Sequence, residues 1–232
     1  MNKKIGKGKL FLSGGGGAQD SFLLDQEFVK SLRAKTVLYI PIALQRDPLG
    51  YEACYDWIVS TLSVHSDDFI EIIMWLDLKT KTLDDLKKFE AIYIGGGNTY
   101  KLLQTFHETG FDKVIVKFLK QGGIIYGGSA GAIIMGKNIS TVSEENDDDY
   151  KFDKGLFLLG NYSLICHYDF SKNKQIEHYI QKYRNPVIAL TEKGGIIIEN
   201  NCVKVIGYES ALIFDEKLNK KNLKPKEIFY VS

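Results

Sequence analysis

A serine hydroxyl is a weak nucleophile until a base takes its proton and the chain holds it open to a substrate. The run Gly127-Gly128-Ser129-Ala130-Gly131 suits the second condition. Gly127, Ser129 and Gly131 satisfy G-x-S-x-G, the pattern of a sharp strand-to-helix turn that pushes one serine into a cleft. The residues before it, Ile124-Ile125-Tyr126, are apolar and β-prone, and the small apolar residues after it suit a helix. Glycines admit backbone angles that a side chain forbids. The N–H groups that open the helix face the place where negative charge would develop.

The base is usually histidine, and the chain has four. His65 sits in the polar turn Ser63-Val64-His65-Ser66-Asp67. His107 and His178 stand beside glutamates in helical patterns. All three are expected at the surface. His167 differs: it follows the apolar run Leu164-Ile165-Cys166 and precedes a helix. In a parallel α/β sheet that is the carboxyl edge, where ligands bind. A carboxylate must then hold the imidazole. Asp169, two residues on, and Glu192, beyond the apolar run Val187 to Leu190, both qualify, and spacing does not choose between them.

Acyl transfer also needs two preorganised N–H groups for the oxyanion. Ala130, just after the serine, supplies one. The turn Gly95-Gly96-Gly97-Asn98-Thr99, again between strand and helix, is the best source of the second. No Lys-Ser/Thr follows it, as a phosphate-binding P-loop requires. Gly14-Gly15-Gly16-Gly17 lacks the register of a dinucleotide fingerprint and is expected as a flexible loop bordering the cleft. The acidic run Glu144 to Asp149 lacks the alternation and glycine of a calcium loop and is expected to be solvated.

The elements that would position these groups alternate along the chain. Strands are predicted at 10–12, 36–40, 69–75, 91–94 and 123–126. Helices are predicted at 20–32, 51–62, 82–89, 99–105 and 112–120. Such alternation implies β-α-β units and a mostly parallel sheet covered on both faces. Beyond residue 153 the texture changes, with strands at 162–166, 187–190, 195–199, 202–206, 211–214 and 228–231 and a helix at 172–183. The later strands are close together and are predicted to pair antiparallel, with Asn200-Asn201 as a two-residue hairpin turn. The lysine-rich stretch 217–226 is expected as a solvated loop.

Length and composition fit one domain over residues 1–232 with a sizeable core. The net charge of +1 gives no footprint for nucleic acid or an acidic membrane surface. Cys54, Cys166 and Cys202 form no zinc or disulfide pattern and suit a reducing compartment. The basic start Met1-Asn2-Lys3-Lys4 is not followed by an apolar run, so no signal peptide is read. No apolar run is long enough to span a membrane. A cytoplasmic location is expected.

The segments Ile92 to Leu103, Tyr126 to Ala132, His167 and Leu190 to Gly194 together resemble serine peptidase family S51, the family of aspartyl dipeptidases and cyanophycinases. The resemblance implies a flavodoxin-like α/β sandwich of the class I glutamine amidotransferase type, with serine in place of cysteine. It implies a Ser-His-Glu triad of Ser129, His167 and Glu192, and an oxyanion hole of Gly97 and Ala130. It sets Asn98 at the substrate pocket. Lys172 best takes the place of an arginine that reads an N-terminal aspartate in the family. Lysine keeps the charge but loses the two-pronged fork for a carboxylate. The expected substrate is a short peptide, with no metal or organic cofactor; a homodimer is one assembly that the sequence leaves open. Cyanophycinase-like cleavage, another amide hydrolysis, or a non-catalytic binding role on the same fold are the alternatives.

Overall fold

The computed structural model describes residues 5–44, 48–142 and 152–231. The basic start of the chain and the acidic run 144–149 lie outside them. Five parallel strands form the heart of an eight-stranded sheet: β1 (Lys9–Ser13), β2 (Thr36–Ile40), β3 (Glu71–Met74), β4 (Ala91–Ile94) and β5 (Ile124–Gly128). Three antiparallel strands extend it beyond β1. With β6 (Ser163–Ile165) and β7 (Val187–Ala189) counted first, they are β8 (Gly194–Glu199), β9 (Cys202–Gly207) and, after β10 (Ala211–Phe214) and β11 (Lys220–Leu223), β12 (Ile228–Tyr230). The order is β12-β9-β8-β1-β5-β4-β2-β3.

Alternation of side chains sorts the sheet into two faces. Register puts Phe11, Tyr126, Tyr93 and Tyr39 side by side across β1, β5, β4 and β2. This aromatic row packs under α1 (Ala18–Lys30) and α2 (Pro48–Ser63), through Leu24, Phe28, Ile58 and Leu62. The opposite face presents Leu10, Leu38, Ile92 and Ile125 to α4 (Thr99–Thr109), α5 (Phe111–Lys120) and the short α6 (Ala130–Ile133). The short helix α3 (Leu83–Leu86) precedes β4. Asn200 and Asn201 both take positive φ, 51° and 63°, in the β8–β9 hairpin, as a tight two-residue turn requires.

A second sheet was not anticipated. β6, β7, β10 and β11 form it, in the order β11-β10-β7-β6. One face carries α7 (Asn173–Tyr183) through Ile176, Tyr179 and Ile180; the other joins the main core through Leu164, Ile188 and Ile213. The strand leading to His167 therefore belongs to this small sheet and not to the parallel one. The lysine-rich stretch is also not wholly a loop: β11 pairs antiparallel with β10 and buries Leu223. Among the described residues no helix is long and apolar enough to cross a membrane.

Candidate active site

The carboxyl ends of β1, β2, β4 and β5 open on one edge of the sheet, and each runs into a turn there. β5 passes straight into α6 through Ser129, whose backbone lies at φ +48° and ψ −110°. A non-glycine residue holds such angles only where its surroundings impose them. The glycines on either side explain how the turn closes. A Cβ at Gly127 would meet the Gly131 carbonyl oxygen at 2.5 Å, and one at Gly131 the Ile94 carbonyl oxygen at 2.4 Å.

Ser129 Oγ lies 2.9 Å from His167 Nε2, and His167 Nδ1 lies 2.9 Å from Glu192 Oε1. His167 arrives from the small sheet and Glu192 from the turn between β7 and β8. The end of β1 stitches them together. The Ser129 N–H donates to the Ser13 carbonyl at 3.3 Å, the His167 N–H donates to the next carbonyl, that of Gly14, at 2.8 Å, and the Gly14 N–H donates to Gly194 at 2.9 Å. Asp169 does not reach the imidazole. Its Oδ1 accepts from the Ser171 hydroxyl and from the Ser171 N–H, the latter at 2.7 Å, and caps a short 3-10 turn; these hydrogen bonds, the hydroxyl's first, hold its carboxyl below the usual range.

The glycine loop expected to be flexible is hydrogen-bonded and closely packed. Gly15 takes φ +102°, and a Cβ there would sit 2.5 Å from His167 Nε2 and 2.9 Å from Ser129 Cβ. Gly17 opens α1, with its N–H donating to Asp20 at 3.0 Å. Gly15 is thus a site residue that sequence reading missed; the four-glycine run was its signal.

On the oxyanion side, α6 leaves the N–H of its first residue, Ala130, without an intrahelical acceptor. In the facing turn a Cβ at Gly96 would lie 3.1 Å from Ser129 Cβ. Gly97, at φ +133°, backs instead onto Ala43, whose carbonyl oxygen would be 2.2 Å from an added Cβ. The Gly97 N–H belongs to the peptide that joins these two positions. Asn98 caps α4, its Oδ1 accepting from the Lys101 N–H at 3.0 Å.

Ser129 borders two cavities. One, of about 490 Å³, lies between the strand ends and α2. The other, of about 70 Å³, is lined by Ser129, His167, Cys166, Lys172 and Gln175, among others. Lys172 Nζ donates to the Cys166 carbonyl at 3.0 Å. Asn98 lines neither cavity.

Of the other histidines, His178 is exposed. His65 is not a plain surface residue: its ring stands edge-on to Phe22 at 4.5 Å, and burial lowers its pKa. His107 is half-buried, with its ring 6.2 Å from that of Phe152. None of these three joins the cluster. On α1, facing the aromatic row, Asp25 is fully buried. Ser21 Oγ donates to its Oδ2 at 2.7 Å, its Oδ1 has no hydrogen-bond partner, and burial pushes its pKa up to about 6. Among the described residues no group of three or more His, Cys, Asp or Glu side chains is placed to hold a metal ion.

Comparison with known proteins gives this geometry a context. A profile of peptidase family S51 matches residues 10–206. An uncharacterised peptidase of Listeria monocytogenes is 30% identical over 165 residues, which is 69% of this chain and 74% of that protein. Peptidase E of Pasteurella multocida is 26% identical over 222 residues, 88% of each. A crystal structure of a peptidase from an acI-B1 actinobacterium superposes with a TM-score of 0.75 over 96% of each chain, at 18% identity; that likeness concerns the fold.

Proposed function

This chain belongs to peptidase family S51 and is a serine-type peptidase, and from that premise we propose that it hydrolyses short peptides through Ser129, His167 and Glu192, preferring dipeptides with an N-terminal aspartate. The observation that carries the reading is the unbroken hydrogen-bonded path from Ser129 Oγ through the imidazole to Glu192 Oε1. His167 Nε2 takes the Ser129 proton as Oγ adds to the scissile carbonyl. Glu192 accepts from Nδ1–H, fixes the tautomer and stabilises the imidazolium that forms. The N–H groups of Ala130 and Gly97 receive the oxyanion. The tetrahedral adduct collapses, His167 gives its proton to the leaving amine, and the acyl group stays on Oγ. A water, deprotonated by the same nitrogen, then releases it.

The aspartate preference rests on Lys172. Its ammonium has three donors and uses one on the Cys166 carbonyl, so two remain for a ligand. The cavity of about 70 Å³ that it shares with Ser129 has room for a carboxylate and little more. No disulfide joins Cys54, Cys166 and Cys202, which suits a cytoplasmic enzyme.

Two measurements test this reading. A fluorophosphonate probe should label wild type at Ser129 and leave Ser129→Ala unlabelled; no labelling of wild type means a non-catalytic protein. Aspartyl, asparaginyl and alanyl dipeptides, with a β-aspartyl-arginine dipeptide beside them, fix the substrate class. Aspartyl dipeptides should lead in kcat/KM, and Lys172→Ala should flatten that lead. A lead for β-aspartyl-arginine would point to cyanophycinase-like cleavage instead.

A further inference from the structure

The two cavities that meet at Ser129 differ in chemistry as well as size. The smaller contains a cation. The larger, of about 490 Å³, has no charged side chain among its described lining residues. One wall is α2, where Gly50, Ala53, Cys54 and Trp57 recur at i, i+3, i+4 and i+7 and so share one helix face. The floor is aromatic. Tyr39 and Tyr93 line it, and Tyr93 is stacked on the fully buried Tyr126 with ring centroids 4.2 Å apart. Trp57 stands edge-on to Tyr93 at 6.2 Å and stays 37% exposed, a large apolar surface at the side of a deep space. A cavity of this volume with a mostly apolar lining fits a bulky side chain, and aromatic walls favour an aromatic guest.

The geometry points to this cavity as the subsite for the second residue of the substrate: in a dipeptide Asp-X, it takes the side chain of X, which is aromatic or bulky aliphatic. The inference rests on Ser129 as the nucleophile and on Lys172 as the reader of the first residue. Ser129 is the one described residue that both linings share, so a substrate whose scissile carbonyl sits at its Oγ can extend into both. A charged X brings an ion against a described lining that holds no charged side chain, Asp25 being buried behind Ser21 and bonded to it, and glycine leaves the aromatic floor uncovered.

The test is kcat/KM for Asp-Phe, Asp-Leu, Asp-Gly and Asp-Lys, with an Ala-Phe and Ala-Gly pair alongside. Asp-Phe and Asp-Leu should exceed Asp-Gly and Asp-Lys by roughly tenfold or more, the scale on which an apolar pocket discriminates. Ala53 is exposed on α2, so Ala53→Trp fills the cavity without disturbing the core. It should bring the Asp-Phe to Asp-Gly ratio near one. Equal rates for the four aspartyl dipeptides in wild type, or an unchanged ratio in Ala53→Trp, would overturn the inference. Calorimetric binding of the same peptides to Ser129→Ala separates it from the peptidase reading. If nothing is hydrolysed and Ser129 is not acylated, that reading fails, while the ratio of dissociation constants for Asp-Phe and Asp-Gly still decides the subsite. An apolar preference in the alanyl pair without an aspartate preference would remove the role of Lys172 and keep that of the cavity.

Discussion

Ser129 and His167, whose side chains meet at 2.9 Å, both hold left-handed backbones, at φ +48° and +50°. Each is fixed by a carbonyl at the end of β1, Ser13 for one and Gly14 for the other. Positive φ at a residue with a side chain costs of order 1–3 kcal/mol, so the fold sustains two strained positions to make one contact. Neither position would be chosen by local propensity alone.

This strain makes the proposed nucleophile separable from the turn. Ser129→Ala and Ser129→Gly should both abolish hydrolysis. Both lose the Oγ contact, but only glycine relaxes at positive φ. Ser129→Gly should therefore be more stable than Ser129→Ala by about 1 kcal/mol. Urea titrations of the two variants check the difference, and equal midpoints would mean that the turn is unstrained.

The two carboxylates near the histidine should behave differently. Glu192→Gln keeps the shape but weakens the hold on the imidazolium, and a fall of roughly tenfold to a hundredfold in kcat/KM is expected. The larger losses known for buried triad carboxylates do not apply, because the Glu192 side chain is 59% exposed. Asp169→Asn should stay within about twofold of wild type, since that side chain caps a turn. The reverse ranking would reassign the orienting acid.

Gly15→Ala should be nearly inactive although the chain still folds. The added methyl meets His167 Nε2 at 2.5 Å, and alanine is strained at φ +102°. Loss of kcat with a drop in stability of about 1–3 kcal/mol is the expected pair of results. Wild-type turnover would show that the imidazole moves away freely.

Asp25 gives a pH signature that has nothing to do with catalysis. Its pKa rises from 3.8 to about 6 in the folded chain, chiefly by burial. Between those values the native state binds more protons than the unfolded one, so this group takes stability away as pH rises from about 4 to about 6 and has no further effect above. Asp25→Asn removes that loss. Relative to wild type the variant should gain up to about 3 kcal/mol across this window and then hold level. Denaturation curves for both proteins at pH 4, 5, 6 and 7 measure it; parallel profiles would mean that Asp25 is not buried as an acid.

Much of the scaffold was legible in the sequence. β2 and β4 begin and end at Thr36, Ile40, Ala91 and Ile94, as their apolar runs and flanking Pro41 and Gly95 require. β11 was not legible. Three of its four residues are exposed, and it exists through pairing with β10, a partner that no local pattern reveals. The same holds for the small sheet as a whole, since β6 pairs with β7 across α7. Ser129, His167 and Glu192 could be named from residue type and strand ends, but their meeting depends on hydrogen bonds from β1 that span more than a hundred residues. The cavity beside Trp57 was not legible either, because an aromatic residue at helical spacing carries no mark of whether its neighbour is protein or a cavity.

The order of segments at the end of β1 has a consequence for a chain still leaving the ribosome. Ser129 emerges with the parallel strands, well before the histidine and the glutamate that complete its hydrogen-bonded path. Until the small sheet docks on Gly14, Ser129 Oγ lacks the imidazole that stands beside it in the folded chain. On the mechanism proposed above, a nascent or half-folded molecule is then a hydrolase without a base, silent toward the peptides around it, and the first turnover marks the completion of folding.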